Sequence, residues 1–156
     1  MTNRLFAVDI DESDLARPTA EMDQERHVAI FDLLEDNAFT IPRAAEFPGP
    51  YRLRLAIRNG RLVFALANAA GDKVAEFHLS LGPFRQVVKD YFQICESYFE
   101  AVRILPTARI EAIDMARRGI HNEGASILKD RLGGKALVDT DTARRLFTLI
   151  CVLHWG

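Results

Sequence analysis

Little in this chain lets chemistry be read from a motif. There are two cysteines, Cys95 and Cys151, far apart in sequence. They make neither a CxxC pair nor a disulfide framework. No GxGxxG, HExxH or GxSxG occurs, and Gly133-Gly134-Lys135-Ala136 lacks the spacing and the hydroxyl of a phosphate-cradling loop. Lysine is scarce, with 4 Lys against 16 Arg. The longest apolar run, Leu146 to Trp155, covers ten positions, where a membrane span needs about 20. It reads as a helix buried on most sides, or one partly covered by a partner. The first residues carry Asp9, Asp11, Glu12 and Asp14 and no apolar signal region, so a reducing cytoplasm is the expected location. Neither an internal repeat nor a low-complexity tract is present.

What is present is a globular composition. The 156 residues are 49% hydrophobic and 27% charged. A chain of this size can bury about 70% of its unfolded surface, so it needs no metal or disulfide to fold. The expectation is a single domain, 1–156, of the α+β class. It divides into an N-terminal strand or arm (1–18), a helix (19–39), a β-meander (50–81) and a helical half (83–155). Charge is polarised along it. Residues 1–48 hold eleven Asp/Glu against four Arg, and residues 49–156 hold sixteen Lys/Arg against eleven Asp/Glu. Arginine is the better fork for phosphate and carboxylate.

The hairpin signals are the clearest local information. Asn59-Gly60 marks a two-residue turn. It predicts the pairs Arg58 with Arg61, Ile57 with Leu62, Leu55 with Phe64 and Leu53 with Leu66. A second turn at Ala69–Asp72 predicts Leu66 with Ala75, Phe64 with Phe77 and Leu62 with Leu79. Both registers put the apolar residues on one face, which a one-residue slip would invert. The result is a three-stranded antiparallel meander. Residues 4–10 are a possible fourth strand. The opposite face then carries Arg52, Arg54, Arg58, Arg61, Glu76 and His78, either as a solvated surface or as a basic platform.

Thr19 is the expected cap of the first helix, with Val28, Ile30, Phe31 and Leu34 as its apolar face. After Pro83, the stripe Phe84, Val87, Val88, Tyr91, Cys95, Tyr98 and Val102 predicts a long helix packed on the sheet as the central core element. Pro106-Thr107 opens another helix. Gly119 is placed to end it, and Asn122 to cap a short helix that stops at Gly133-Gly134. Asp139 or Asp141 caps the last helix.

The candidate site gathers around that expected break. Arg117, Arg118, His121, Asn122 and Glu123 pack two cations, an imidazole, an amide and a carboxylate into seven positions. A helix N-terminus at Asn122 would offer free N–H groups to an anion. His121 could move a proton, oriented by Glu123. Ordinary turn chemistry explains the same residues without function. With Asp141 as cap, Arg144 and Arg145 would fall in a first helical turn, where cations are unfavourable. Were they to converge with Arg117 and Arg118, the four would clamp an anion. Cys151 and His154 have a ligand spacing but lack nearby partners to complete a zinc site, so no metal and no cofactor are expected. Glu111 and Asp114 sit early in a helix, where the dipole accounts for them.

Several stretches carry a family resemblance: Glu25-Arg26 with the Val28–Asn37 helix, Gly49-Pro50-Tyr51-Arg52-Leu53, and the run from His78 to Arg85. So do Lys89-Asp90-Tyr91-Phe92, Ile94 to Tyr98, Ile110 to Asn122, and Asp141 to Cys151. Through them the chain resembles a small protein family of alphaproteobacteria that has no assigned function. The resemblance implies a bacterial, cytoplasmic, single-domain protein and gives no residue a role.

Two functional expectations follow. The first is an interaction or adaptor protein whose arginines hold an anionic partner, an acidic protein surface or a small anion. RNA fits less well, because the aromatics Phe64, Phe77, Phe84, Tyr91, Phe92 and Phe99 fall on predicted core faces rather than between basic residues. The alternative is an enzyme acting on a small phosphorylated or carboxylated compound at Arg117–Glu123, with His121 and Glu123 as candidate catalytic residues. A homodimer completed by the last helix is compatible with either.

Overall fold

The computed structural model describes residues 3–11, 20–104 and 106–154, the last without its side chain. The expected cap Thr19, most of the N-terminal arm and Trp155 lie outside the described residues. The α+β class holds. In chain order the elements are β1 (Leu5–Ile10), α1 (Ala20–Glu35), β2 (Phe39–Thr40), β3 (Tyr51–Arg58), β4 (Arg61–Ala67) and β5 (Lys73–Ser80). A 3-10 turn at Gly82–Phe84 leads into α2 (Arg85–Ile104), α3 (Thr107–Leu132), β6 (Leu137–Val138) and α4 (Thr140–His154).

The meander forms in the predicted register. Arg58 pairs with Arg61, Leu55 with Phe64, Leu53 with Leu66, Phe64 with Phe77 and Leu62 with Leu79. Asn59 and Gly60 both take positive φ, 54° and 72°, as the tight hairpin turn requires. The fourth strand is also present: β1 lies parallel to β3, giving the order β1-β3-β4-β5. A parallel neighbour needs a crossover, and α1 supplies it.

The first helix is shorter than expected. It stops at Glu35 because Asn37 diverts the chain. Its side-chain amide donates to the Leu33 carbonyl (2.7 Å) and to the Leu5 carbonyl (3.0 Å), and accepts from the Leu5 N–H (2.7 Å). Phe39–Thr40 then becomes a strand, paired with Leu137–Val138. The buried face of α1 is Met22, Ala29 and Leu33, with Val28 and Phe31 left exposed. Of the apolar face read from periodicity, Ile30 and Leu34 are half-buried against the core while Val28 and Phe31 face solvent.

Three further expectations are corrected. First, α2 is not the central core helix: it packs against α3, and Val102 is exposed. The centre is α4, which packs against α1, α3 and β3. Its Ala143, Leu146, Phe147, Leu149, Ile150, Cys151, Val152 and Leu153 are each 3% exposed or less. That burial is achieved within one chain, so the last helix gives no reason to invoke a second copy.

Second, no break separates Gly119 from Asn122, because α3 runs unbroken through both. An interior glycine costs roughly 1 kcal/mol in helix propensity, and packing outweighs it. Gly124, Ala125, Leu128 and Leu132 are buried, and the Phe147 ring lies directly over Gly124, 2.4 Å from where a Cβ would stand. Third, Asp139 is the cap of α4. Its Oδ1 accepts from the Thr142 N–H at 2.9 Å. Arg144 and Arg145 therefore sit beyond the first turn, and the unfavourable dipole placement does not arise.

Candidate functional site

Where α1, α3 and α4 meet, they leave a cleft of about 240 Å³. Its walls carry Glu25, Val28, Ala29 and Asp32 from α1, His121 from α3, and Asp141, Arg144, Arg145 and Thr148 from α4. The spacing 25, 28, 29, 32 is one helical stripe, and 141, 144, 145, 148 is another. Each helix thus offers a mixed polar stripe to the same space.

His121 is the best-fixed group in it. Its Nε2 lies 2.8 Å from Thr148 Oγ1, and that hydroxyl donates to the Arg144 carbonyl at 3.3 Å. A hydroxyl has one proton to give, so the imidazole Nε2–H donates to Thr148. The ring stacks on Tyr91 (5.4 Å between centroids) and tilts against Phe147 (5.8 Å). Burial, reinforced by the charges of Arg144 and Arg117, pushes its pKa down to about 4, against a partial offset from a hydrogen bond to the Arg144 backbone. At neutral pH it is an uncharged imidazole, a hydrogen-bonding group rather than a proton donor matched to pH 7.

The other predicted residues divide. Arg144 and Arg145 line the cleft with His121. Arg144 Nη1 reaches Asp141 at only 3.8 Å, and its buried Nε has no hydrogen-bond partner among the described residues. Arg145 donates to the Asp36 carbonyl at 3.1 Å. Arg117 lies one layer behind, bonded to Asp114 (2.7 Å), near Glu25 (3.6 Å) and 4.3 Å over the Tyr98 ring. Arg118 turns outward to Asp114 (3.1 Å) and is 68% exposed. Asn122 and Glu123 are exposed. Glu123 does not orient His121; Thr148 does. With α3 unbroken, Asn122 starts no helix and its N–H is an interior one.

Glu25, Asp32, Tyr91 and Thr148 belong to this region without any motif to signal them. The Tyr91 phenol points at Glu25 (3.5 Å), and burial pushes its pKa far up. The one pattern among them is the seven-residue spacing of Glu25 and Asp32, which puts both on one face of α1. Among the described residues, no group of three or more His, Cys, Asp or Glu is placed to hold a metal ion. Nor is any helix among them long and apolar enough to cross a membrane.

The sheet arginines are partly neutralised from within. Asp9 bridges Arg52 (3.0 Å), and Asp11 lies 3.7 Å from Arg54 and 3.5 Å from Arg58. Asp9 comes from β1 and Asp11 directly follows it. The face is therefore an alternating ion-pair surface rather than a bare basic platform.

Comparison with known proteins covers the chain from end to end. A UPF0262 protein of Cereibacter sphaeroides (strain ATCC 17025 / ATH 2.4.3) is 69% identical, over 99% of this chain and 99% of its own. One of Paracoccus denitrificans is 68% identical, over 99% of this chain and 97% of its own. One of Ruegeria pomeroyi is 63% identical, over 99% and 98%. No solved structure matches. The family model described as "Uncharacterised protein family (UPF0262)" spans residues 2–156, and with relatives this similar over their full length, the chain belongs to that family.

Proposed function

We propose that this is an interaction protein that docks an acidic segment of a partner protein at the α1–α4 cleft. The observation that carries the reading is the pairing of charge with exposed apolar surface there. Arg144 and Arg145 line the cleft. Val28 on α1 also lines it, and Val28 and Phe31, three positions further along the same helix, are 45% and 65% exposed. An exposed aromatic next to arginines is the composition of an interface anchor. A carboxylate entering the cleft would meet the guanidinium groups of Arg144 and Arg145 and the neutral His121, and an adjacent apolar side chain would lie along Val28 toward Phe31. Glu25, Asp32 and Asp141 share the lining with the arginines, so the cleft suits one carboxylate of an acidic segment seated at Arg144 and Arg145 rather than a long polyanion such as RNA.

The test is affinity purification from the native host at native level, comparing the wild type with an Arg144→Glu/Arg145→Glu double variant and with Phe31→Ala. A protein recovered with the wild type, resistant to nuclease and lost with both variants, is the expected result. A partner equally retained by both variants would refute docking at the cleft.

The alternative, an enzyme acting on a small phosphorylated or carboxylated compound, draws on the same cleft and on His121 within it. Its catalytic pair is weakened by the low pKa of His121 and by the exposure of Glu123. Saturable binding of inorganic phosphate, abolished by Arg144→Ala, would favour it.

A further inference from the structure

The sheet is asymmetric in how its edges end. At one side β1 sits beside β3. At the other, β5 is the terminal strand. It is eight residues long, Lys73–Ser80, and contains no proline. Its one irregularity lies at the start, opposite Leu66/Ala67. Among the described residues its backbone pairs with β4 alone. An edge of this length and regularity is a template for a further strand, and proteins that avoid pairing guard such edges with proline, bulges or inward charges. Here the inward positions Ala75, Phe77 and Leu79 are all apolar.

The side chains say what strand fits. In an antiparallel pair, residues directly opposite share a face, so the allowed registers step by two. Consider β5 against a second β5 with the two-fold axis at Phe77. Glu76 then faces His78 of the other copy, and His78 faces its Glu76. Phe77 meets Phe77, Ala75 meets Leu79, and Val74 meets Ser80. Moving the axis to Glu76 sets two carboxylates against each other, and moving it to His78 sets two imidazoles against each other. A single-residue slip places apolar side chains opposite polar ones. One register out of these satisfies both faces. Glu76 and His78 already lie 3.1 Å apart within one chain, so their attraction is built into the strand. Phe77 is already stacked on Phe64 at 5.0 Å, which holds its ring ready to meet a symmetric copy.

We infer that β5 is a homodimerisation edge, joining the sheets of two copies into one continuous antiparallel sheet with the two-fold axis at Phe77. This places the cleft between α1 and α4 outside the shared edge, so the inference stands apart from the proposed docking function.

The test uses the full chain. Sedimentation equilibrium across a concentration series should give a mass near twice 17.6 kDa at high concentration. Glu76→Lys alone should weaken the dimer by roughly tenfold, because the symmetry repeats the altered pair twice. Glu76→Lys combined with His78→Glu restores opposite charges and should recover it. A second measurement does not depend on stability. Glu76→Cys protein mixed with His78→Cys protein should cross-link across the edge on mild oxidation, faster than either variant alone. A wild-type monomer at every concentration would overturn the inference. So would a dimer indifferent to Glu76→Lys, or cross-linking no faster in the mixture.

Discussion

Two glycines on one helix should respond to alanine in opposite directions. Gly119 and Gly124 both lie inside α3, five residues apart. At Gly119 a Cβ would meet nothing within 4 Å. Alanine there gains helix propensity without a clash, and Gly119→Ala should stabilise by about 1 kcal/mol. At Gly124 a Cβ would stand 2.4 Å from Phe147 Cε1 and Cζ and 2.5 Å from Cε2. Carbon atoms pack comfortably at about 3.5–4.0 Å, so more than an ångström of displacement is demanded of one side or the other. Phe147 is fully buried, with Tyr91 5.7 Å away and His121 5.8 Å away, centroid to centroid, so its ring has nowhere to step. Overpacking of this severity costs about 3 kcal/mol, offset by about 1 kcal/mol of propensity. The net loss is about 2 kcal/mol, leaving the two variants about 3 kcal/mol apart. Urea denaturation followed by circular dichroism measures both. Because the clash is with one ring, Phe147→Leu should relieve it, and the double variant should show a coupling of at least about 1 kcal/mol. If Gly124→Ala equals or exceeds the wild type in stability, the close approach of α3 and α4 is not as described.

Other consequences are open to measurement. The folded value of His121, about 4, lies below its unfolded value of about 6.5. The unfolded chain therefore takes up this proton first as pH falls. The stabilisation is complete above pH 6.5 and lost as pH drops toward 4, about 3 kcal/mol in all; His121→Gln should flatten that part of the pH profile of stability, and an unchanged slope would contradict the burial of the ring. Burial pushes the Cys95 thiol up to about 11 and the Cys151 thiol well above the usual thiol value, so neither should react with a thiol reagent in the native state, and both should react on denaturation. Removing the α4 cap with Asp139→Ala should cost about 1 kcal/mol, read as a fall in Tm of about 2–4 °C, whereas Asp141→Ala should leave stability nearly unchanged.

The meander was legible to the residue because its information is local. Asn59-Gly60 sets the turn and strict alternation sets the face, with no distant partner needed. The helices were legible as elements but not in their limits or rank. Gly119 carries a genuine stop signal, yet α3 continues because Gly124, Ala125 and Leu128 beyond it are buried against α4. Asn37 ends α1 through bonds to Leu5, thirty-two residues away, and no local pattern announces that. For the site, Arg144, Arg145 and His121 were found for reasons that proved different from their actual setting. The expected helix start at Asn122 does not exist, and the expected orienting carboxylate Glu123 faces solvent. Thr148 and Glu25 went unnoticed because each is an ordinary residue until three helices bring it beside His121.

The central position of α4 also bears on how the chain is made. The helix that fills the core follows every other described element in chain order. Its ties back to the start are long: Thr142 receives the Ala38 N–H across 104 residues, and Arg145 reaches the Asp36 carbonyl across 109. Until α4 is free, the core cluster that holds the apolar inner face of the sheet lacks its most buried helix. Completion of the core must therefore wait for α4, since contacts this distant repay their closure entropy last. A nascent chain halted before α4 presents an uncovered β-surface, the kind of species that chaperones hold and proteases remove.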